Sequence, residues 1–240
     1  MCYASATAVK VKLAEYLGEA YTLGEYEHYW AASGFDFPFL PALTSDAPFT
    51  VRSLQWGLIP GWAKTRQDAQ AVRSKTLNAR SETIFETASF REPILHSRCL
   101  LLVAGFFEWQ HIGKQTQPYY IHMPGKEPFA MGGVHSTWVD PETAEVYETS
   151  SIITTPANEL MSRIHNDKKR MPLILDKPQW HDWLDDHTTA PHLKNLMLPY
   201  PDGRLEADPV NNLISSRTKD RNVPDVQQPI QLVSQTNLGF

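Results

Sequence analysis

The sequence predicts an α+β fold: a single domain, residues 1–240, built on an antiparallel, barrel-like β-sheet with flanking helices. Three observations lead there. Many short apolar or alternating runs follow one another through turn-type connections. Only three or four helical patterns interrupt them. No βαβ rhythm, internal repeat or Pro/Ser/Gly linker divides the 240 residues.

Residues 8–20 read as a helix, because Val9, Leu13, Tyr16, Leu17 and Ala20 fall on one face. Residues 29–48 are aromatic and contain proline, which suggests an ordered loop around Phe35, Phe37, Pro38, Phe39 and Pro41. Residues 50–54 alternate like a strand, and the run from Trp56 to Trp62 turns sharply through Gly57, Pro60 and Gly61. Residues 99–104 form a continuous apolar run, short enough for a buried strand that continues through Phe106 to Trp109. A turn at Gly113-Lys114 precedes strands over 119–122, 129–134 and 145–154. Pro156 suits the first turn of a helix capped by Thr155, running toward Ile164 and stopping near His165. Residues 171–175 read as a strand, and Asp176 with Gln179 as the capping box of a Trp-containing helix. A short helix over 191–198 and a strand over 229–233 complete the pattern.

With 42% hydrophobic residues the chain can bury a substantial core. No apolar run reaches the roughly 18 residues of a membrane span, and no basic-then-apolar leader opens the sequence. Cys2 and Cys99 lie far apart with no C-x-x-C pair, which argues against a disulfide framework or a structural zinc site. The expectation is a reduced, cytoplasmic monomer that needs no metal and no cofactor. The net charge of -5 does not advertise nucleic-acid binding, but its distribution is uneven. Residues 52–98 carry eight basic side chains against four acidic ones, and Arg163, Lys168, Lys169 and Arg170 surround a single Asp167. Such local patches suit a phosphate-bearing partner at one face, or simply a solvated surface of mixed charge.

Four polar features could carry chemistry. Loss of Met1 would leave Cys2 with an α-amine and a thiol on adjacent carbons. The two groups titrate at about 8 and about 8.5 in unperturbed peptides. An aldehyde condenses with that amine to an imine, and the thiol can close on the imine carbon to a thiazolidine. Asn78 and Arg80 are two apart, so on an extended segment they share a face and suit an oxygen-rich substrate. Glu108 stands between Phe107 and Trp109; desolvation there would favour its neutral form, unless strand alternation turns it to solvent. His165, at a helix end among cations, reads either as an acid/base kept neutral by like charge or as an ordinary surface histidine.

Taken in order, these residues resemble a known family. Met1-Cys2, Trp56-Gly57-Leu58-Ile59-Pro60-Gly61-Trp62, Asn78-Ala79-Arg80-Ser81-Glu82, Gly105-Phe106-Phe107-Glu108-Trp109, Ile153-Thr154-Thr155, and Ile164-His165 followed by Arg170-Met171-Pro172 resemble the blocks of the SRAP, or SOS response-associated peptidase, family. The resemblance covers about residues 1–215 and leaves 216–240 as a tail. It implies the SRAP fold and a DNA-damage protein whose partner is single-stranded DNA containing abasic sites, nucleoid-associated when bound. Cys2 would attack the ring-opened abasic sugar and form a thiazolidine crosslink. Asn78 and Arg80 would hold the terminus, sugar and adjacent phosphate. Glu108 would position the amine and assist imine formation, and His165 would open the deoxyribose. Removal of Met1 by the same terminus and strand cleavage by β-elimination also follow from the likeness.

Trp62, Arg80, Thr155 and Arg170 are the DNA-contact candidates in the matching blocks. The chain departs from the family at Tyr3-Ala4-Ser5, where Gly-Arg-Phe is common, and at Ala63, where a second Trp is usual. Residues 166–169 stretch the spacing from His165 to Arg170. Lys168 or Lys169 is therefore expected to replace the missing early Arg, and Pro38 in its uncharged loop to serve as the wedge beside the lesion. Two other classes stay open on the residues alone: an N-terminal-nucleophile amidase, and a nucleic-acid-binding module without chemistry.

Overall fold

A computed structural model describes residues 2–216 and 218–232. In chain order the elements are β1 (Ala4–Ala6), α1 (Lys10–Leu17), β2 (Thr22–Leu23), β3 (Ala32–Ser33), β4 (Phe39–Thr44), β5 (Ala47–Trp56), α2 (Arg66–Arg73), β6 (Asn78–Arg80), α3 (Pro93–His96) and β7 (Arg98–Val103). They continue as β8 (Gly105–Ile112), β9 (Gln115–His122), β10 (Phe129–Val139), β11 (Val146–Pro156), α4 (Glu159–Ile164), β12 (Arg170–Pro172), β13 (Ile174–Leu175), α5 (Lys177–Leu184), α6 (Ala190–Leu196) and β14 (Glu206–Pro209).

The strands β5, β4, β7, β10 and β11 pair in that order, each antiparallel to the next. A parallel seam, Thr149 with Gln55 and Ser150 with Trp56, joins β11 back to β5 and closes the barrel. Gly57 leaves that seam at φ 108 and donates its amide to the Ser150 carbonyl at 2.9 Å, a conformation that an L side chain rarely adopts. A second sheet, in the order β14-β9-β8-β1-β3, is antiparallel throughout. The chain crosses from one sheet to the other through Ala104 alone, between β7 and β8. At Gly105 a Cβ would come within 2.5 Å of the Tyr120 ring and 2.6 Å of the Ile121 carbonyl, so only glycine lets β8 pass so close to β9.

The continuous apolar run of β7 follows from burial on both faces. Leu100 and Leu102 belong to a cluster shared with Leu13 of α1 and with Trp180 and Trp183 of α5. Cys99, Leu101 and Val103 belong to a second cluster with Leu40, Leu54, Trp56 and Ile152. Cys2 is a member of the second cluster. The α+β barrel expected from the sequence is therefore present, with α1, α3, α5 and α6 packed into the first cluster and α4 into the second. No helix among the described residues is long and apolar enough to cross a membrane.

Four readings are corrected. The loop expected over 29–48 contains β3, a 3-10 turn at Gly34–Asp36 and all of β4. Pro41 lies inside β4 because pairing with β7 begins only at Ala42, so its missing N–H costs no ladder bond there. Pro156 ends β11 instead of opening a helix; α4 begins at Glu159, and Asn158, not Thr155, caps it through Met161 N at 2.9 Å. The strand expected over 171–175 breaks at Leu173 into β12 and β13. The strand expected over 229–233 amounts to a single bridge from Pro229 to Val210, while Val233 lies outside the described residues.

Arg98 also leaves the positive patch to which its sequence position assigned it. It is fully buried, and its guanidinium donates to the carbonyls of Trp183 at 2.6 Å, Ile94 at 2.9 Å, Leu95 at 2.5 Å and Asp185 at 2.6 Å. It thus ties β7 to the C-terminal ends of α3 and α5, where unpaired carbonyls concentrate. Arg98→Ala should lower unfolding stability by about 3–5 kcal/mol, because carbonyls and cavity are left unfilled together. Arg98→Lys should recover less than half, since a point ammonium cannot serve four directions. Urea melts would check this, and a loss below about 1 kcal/mol would show that water replaces the side chain.

Candidate active site

The site is built around the entry of the chain. β1 lies between β8, with Ala4 opposite Phe107 and Ser5 opposite Phe106, and β3, with Ala4 opposite Ser33. The Gly34 amide donates to the Tyr3 carbonyl at 2.8 Å, and Ser5 Oγ to the Gly105 carbonyl at 3.2 Å. From a third direction Asn78 Nδ2 donates to the Cys2 carbonyl at 2.8 Å. Cys2 is therefore fixed by main-chain bonds and buried, 1% exposed. Burial first, and the Glu108 charge second, push its thiol pKa up, so the group is held as thiol rather than thiolate.

Glu108 shares a face of β8 with Phe106, and it is buried instead of turned to solvent. Desolvation pushes its pKa up to about 8, against the lowering effect of the chain's terminal ammonium. His165 caps the C-terminal end of α4, its amide bonded to the Met161 carbonyl at 2.7 Å. Its Nδ1 lies 4.0 Å from Glu108 Oε1 and 3.0 Å from the Arg170 carbonyl. The Arg170 amide faces the same nitrogen at 3.4 Å. The shorter contact is to a carbonyl, which can only accept, so Nδ1 carries the proton and Nε2 the lone pair.

The His165 pKa is lowered, as its sequence position suggested, but burial is the main cause and not the flanking cations. Arg163 faces Glu159 and Lys168 faces Asp167, and both cations are well exposed. The structure thus brings together Cys2 before β1, Asn78 of β6, Glu108 of β8 and His165 at the C-cap of α4. Among the described residues no group of three or more His, Cys, Asp and Glu converges as a metal site would.

The proposed DNA contacts divide. Arg80 is exposed, on the same face of β6 as Asn78 with Ala79 turned inward, and its charge acts on the Tyr3 hydroxyl. Trp62 is 48% exposed, and Lys168 and Lys169 are exposed in the turn that follows α4. Three candidates are committed elsewhere. Arg170 makes a bidentate pair with Glu82 and donates to the Thr154 carbonyl at 2.6 Å, leaving its side chain 12% exposed. Thr155 is buried, with its hydroxyl donating to the Pro156 carbonyl at 3.1 Å. Pro38 is buried, its carbonyl accepting from the Trp56 amide at 2.8 Å, and Phe35 and Phe39 are the rings that this segment exposes.

Glu82 was not singled out in the sequence. Through Arg170 it fixes the carbonyl that sets the His165 tautomer, and its place at the end of Asn78-Ala79-Arg80-Ser81-Glu82 was the available signal. Tyr3 likewise stood out only as a departure.

Cys2, buried just before β1 with a buried carboxyl and an imidazole grouped near it, is placed as the nucleophile of an N-terminal-nucleophile site would be. The chain belongs to the SOS response associated peptidase (SRAP) family, whose model matches residues 2–217. It is 39% identical over 165 residues to the abasic site processing protein YoqW of Bacillus subtilis, covering 68% of this chain and 70% of that one. It is 33% identical over 199 residues to the abasic site processing protein HMCES of Gallus gallus, matching 75% of this chain but only 57% of that longer relative. Among solved structures, a protein from Bacteroides thetaiotaomicron superposes with a TM-score of 0.86 at 34% identity, covering 96% of this chain and all of that one. One from Bordetella bronchiseptica, at 21% identity and a TM-score of 0.75, shares the fold.

The raised Glu108 pKa has a consequence for stability. The unfolded chain ionises this carboxyl near 4.5 and the folded one near 8, so the folded state holds the extra proton between those values. Its contribution is full below about pH 4.5 and is lost progressively as pH rises through about 8. Glu108→Gln should match wild type near pH 4.5 and exceed it by about 3 kcal/mol at neutral pH. Denaturation at several pH values would check this, and parallel profiles for the two proteins would refute the buried, protonated state.

Proposed function

We propose that the protein senses abasic sites in single-stranded DNA and captures them as a thiazolidine DNA–protein crosslink through Cys2, once Met1 is removed. The observation that carries this reading is the placement of Cys2 beside Glu108 and His165, with Asn78 on its carbonyl. YoqW and HMCES, named as abasic site processing proteins, support the same substrate.

Ionised Glu108, a fraction that grows as pH rises toward about 8, takes a proton from the terminal ammonium and frees the amine. The amine adds to the sugar aldehyde, and water leaves as the imine forms; Glu108 can return the proton to the departing oxygen. The Cys2 S–H then adds across the C=N bond, sulfur to carbon and hydrogen to nitrogen. A neutral buried thiol suits this last step, since its proton is consumed in it. His165, with Nε2 basic, opens the closed sugar by moving the hemiacetal proton. Removal of Met1 by the same terminus, and strand cleavage by β-elimination from the imine, are further activities of this machinery. The protein acts as a single-domain monomer in the cytoplasm.

Cys2→Ala should abolish a heat-stable adduct with abasic single-stranded DNA, read by intact mass. Cys2→Ser should still give an imine that borohydride traps. The single-turnover rate should rise with pH toward about 8 in the wild type. Glu108→Gln and His165→Ala should each slow it by about 10²–10⁴-fold. A Cys2→Ala protein that crosslinks normally would refute the mechanism. An adduct-free wild type that cleaves amides, or binds DNA without chemistry, would select one of the other classes.

Phosphate contacts are separable from chemistry. Arg80→Ala should reduce the salt dependence of binding by about one phosphate contact, with or without a lesion. Glu at both 168 and 169 should reduce it further if those lysines replace the missing early Arg. Equal salt slopes in all three proteins would place the contacts elsewhere.

A further inference from the structure

Residues 166–169, which stretch the spacing from His165 to Arg170, are tied to β8 by the side chain of Asn166. Asn166 Oδ1 accepts from the His111 amide at 3.0 Å, and its Nδ2 donates to the His111 carbonyl at 2.8 Å. One carboxamide thus takes both main-chain groups of one strand residue, as a further ladder residue would. The place is set by where β1 runs out. β1 pairs with β8 over residues 105–107, and in that register position 2 is level with Trp109. His111 lies two positions further on, where β8 keeps β9 on its other edge and no described strand on this one. Gln110, beside it, donates to the Arg163 carbonyl at 3.1 Å and accepts from the Tyr119 hydroxyl at 3.2 Å.

We propose that Asn166 is a positioning residue of the capture reaction, holding His165 in place by fastening the end of α4 to the strand that carries Glu108. The inference rests on the capture reading above. α4 has only six residues and His165 is its C-cap, so the imidazole hangs from the point where a short helix ends. The turn that follows closes from the Lys169 amide to the His165 carbonyl at 2.8 Å, and Lys169 takes φ 51. A side chain disfavours that left-handed conformation, which persists where surrounding contacts impose it. The two bonds to His111 are among those contacts. Glu108 and His111 are three residues apart on one strand, roughly 10 Å at about 3.3 Å per residue. The 4.0 Å from His165 Nδ1 to Glu108 Oε1 is therefore closed into a loop by β8, the carboxamide of Asn166 and one peptide bond. Released from His111, the turn and the imidazole can swing together, and Nε2 loses its aim on the sugar. A misplacement of about 1 Å is enough to cost about 100-fold in rate.

The test is a double-mutant cycle on the full chain with Met1 removed, reading single-turnover crosslinking to abasic single-stranded DNA at saturating concentration. Saturation keeps any change of affinity through Lys168 and Lys169, in the same turn, out of the rate. Asn166→Ala should slow the wild type by about 10- to 100-fold. In a His165→Ala background, followed over hours, the same substitution should change the rate by less than about 2-fold, because the group it positions is gone. A substitution that merely loosened the fold would slow both backgrounds alike. Asn166→Ala at the wild-type rate would overturn the proposal and leave capture intact. Equal slowing in both backgrounds, or a His165→Ala protein as fast as wild type, would do the same. No adduct from the wild type would overturn the capture reading and the proposal with it.

Discussion

A chain terminus left to itself frays, because nothing before it completes a ladder or a turn. Here the ladder that seats Ala4–Ala6 between β3 and β8 removes that freedom. Two bonds, from Gly34 to the Tyr3 carbonyl and from Asn78 to the Cys2 carbonyl, extend the order to the reactive residue itself. The other parts of the site take their coordinates from that ladder. β8 carries Glu108 on the strand that pairs with β1, and β6 carries Asn78 on a strand that pairs with barrel strand β11. Barrel and second sheet thus meet at the first residues, and the entropy of ordering them is met by backbone pairing before any substrate arrives.

Burial sets the chemistry as firmly as position does. Cys2, Glu108 and His165 are each shifted toward their neutral forms, and desolvation is the largest cause in every case. Three neutral groups in a dry site exchange protons with little rearrangement of solvent. They also make poor long-range attractors for a charged ligand. The positioning of the imidazole depends in turn on Arg170, whose carbonyl accepts from Nδ1 while its guanidinium is held by Glu82 and Thr154. A residue that looks like a phosphate contact in the sequence is a structural brace in the fold.

That difference shows which features the sequence makes legible. Patterns closed within a few residues were readable: the Gly113-Lys114 turn, the Asp176/Gln179 capping box and the two-faced burial of β7. Cys2, Asn78, Glu108 and His165, drawn from four separate blocks, lie together in the fold. The readings that failed depend on partners remote in sequence. Arg170 and Glu82 are 88 positions apart, and Arg98 lies 85 from Trp183, so no local pattern tells whether such a cation is free or committed. Pro41 misled because a strand tolerates proline only where one edge is open, and edges are a property of the assembled sheet. Pro156 had a plausible cap in Thr155, but the chain stays extended for two more residues and Asn158 takes the role.

The fate of the basic side chains bears on how such a protein can hold DNA at all. Arg98 is spent on four backbone carbonyls, Arg52 lies between Asp46 and Glu148, Arg66 bonds Asp140, and Arg170 bonds Glu82. Arg73 stacks on the Phe37 ring and donates to the Gly57 carbonyl. Four of the eight basic side chains from Arg52 to Arg98, and Arg170 near His165, are therefore committed within the fold. Lys64, Lys75, Arg80, Arg91 and Lys169 are exposed and without an ion-pair partner among the described residues, on a chain of net charge -5. Counterion release at such side chains gives affinity that does not depend on base sequence or on a lesion. Selectivity for a lesion then has to come from a step that undamaged DNA cannot take, which in the proposed capture is the bond from Cys2 to an aldehyde.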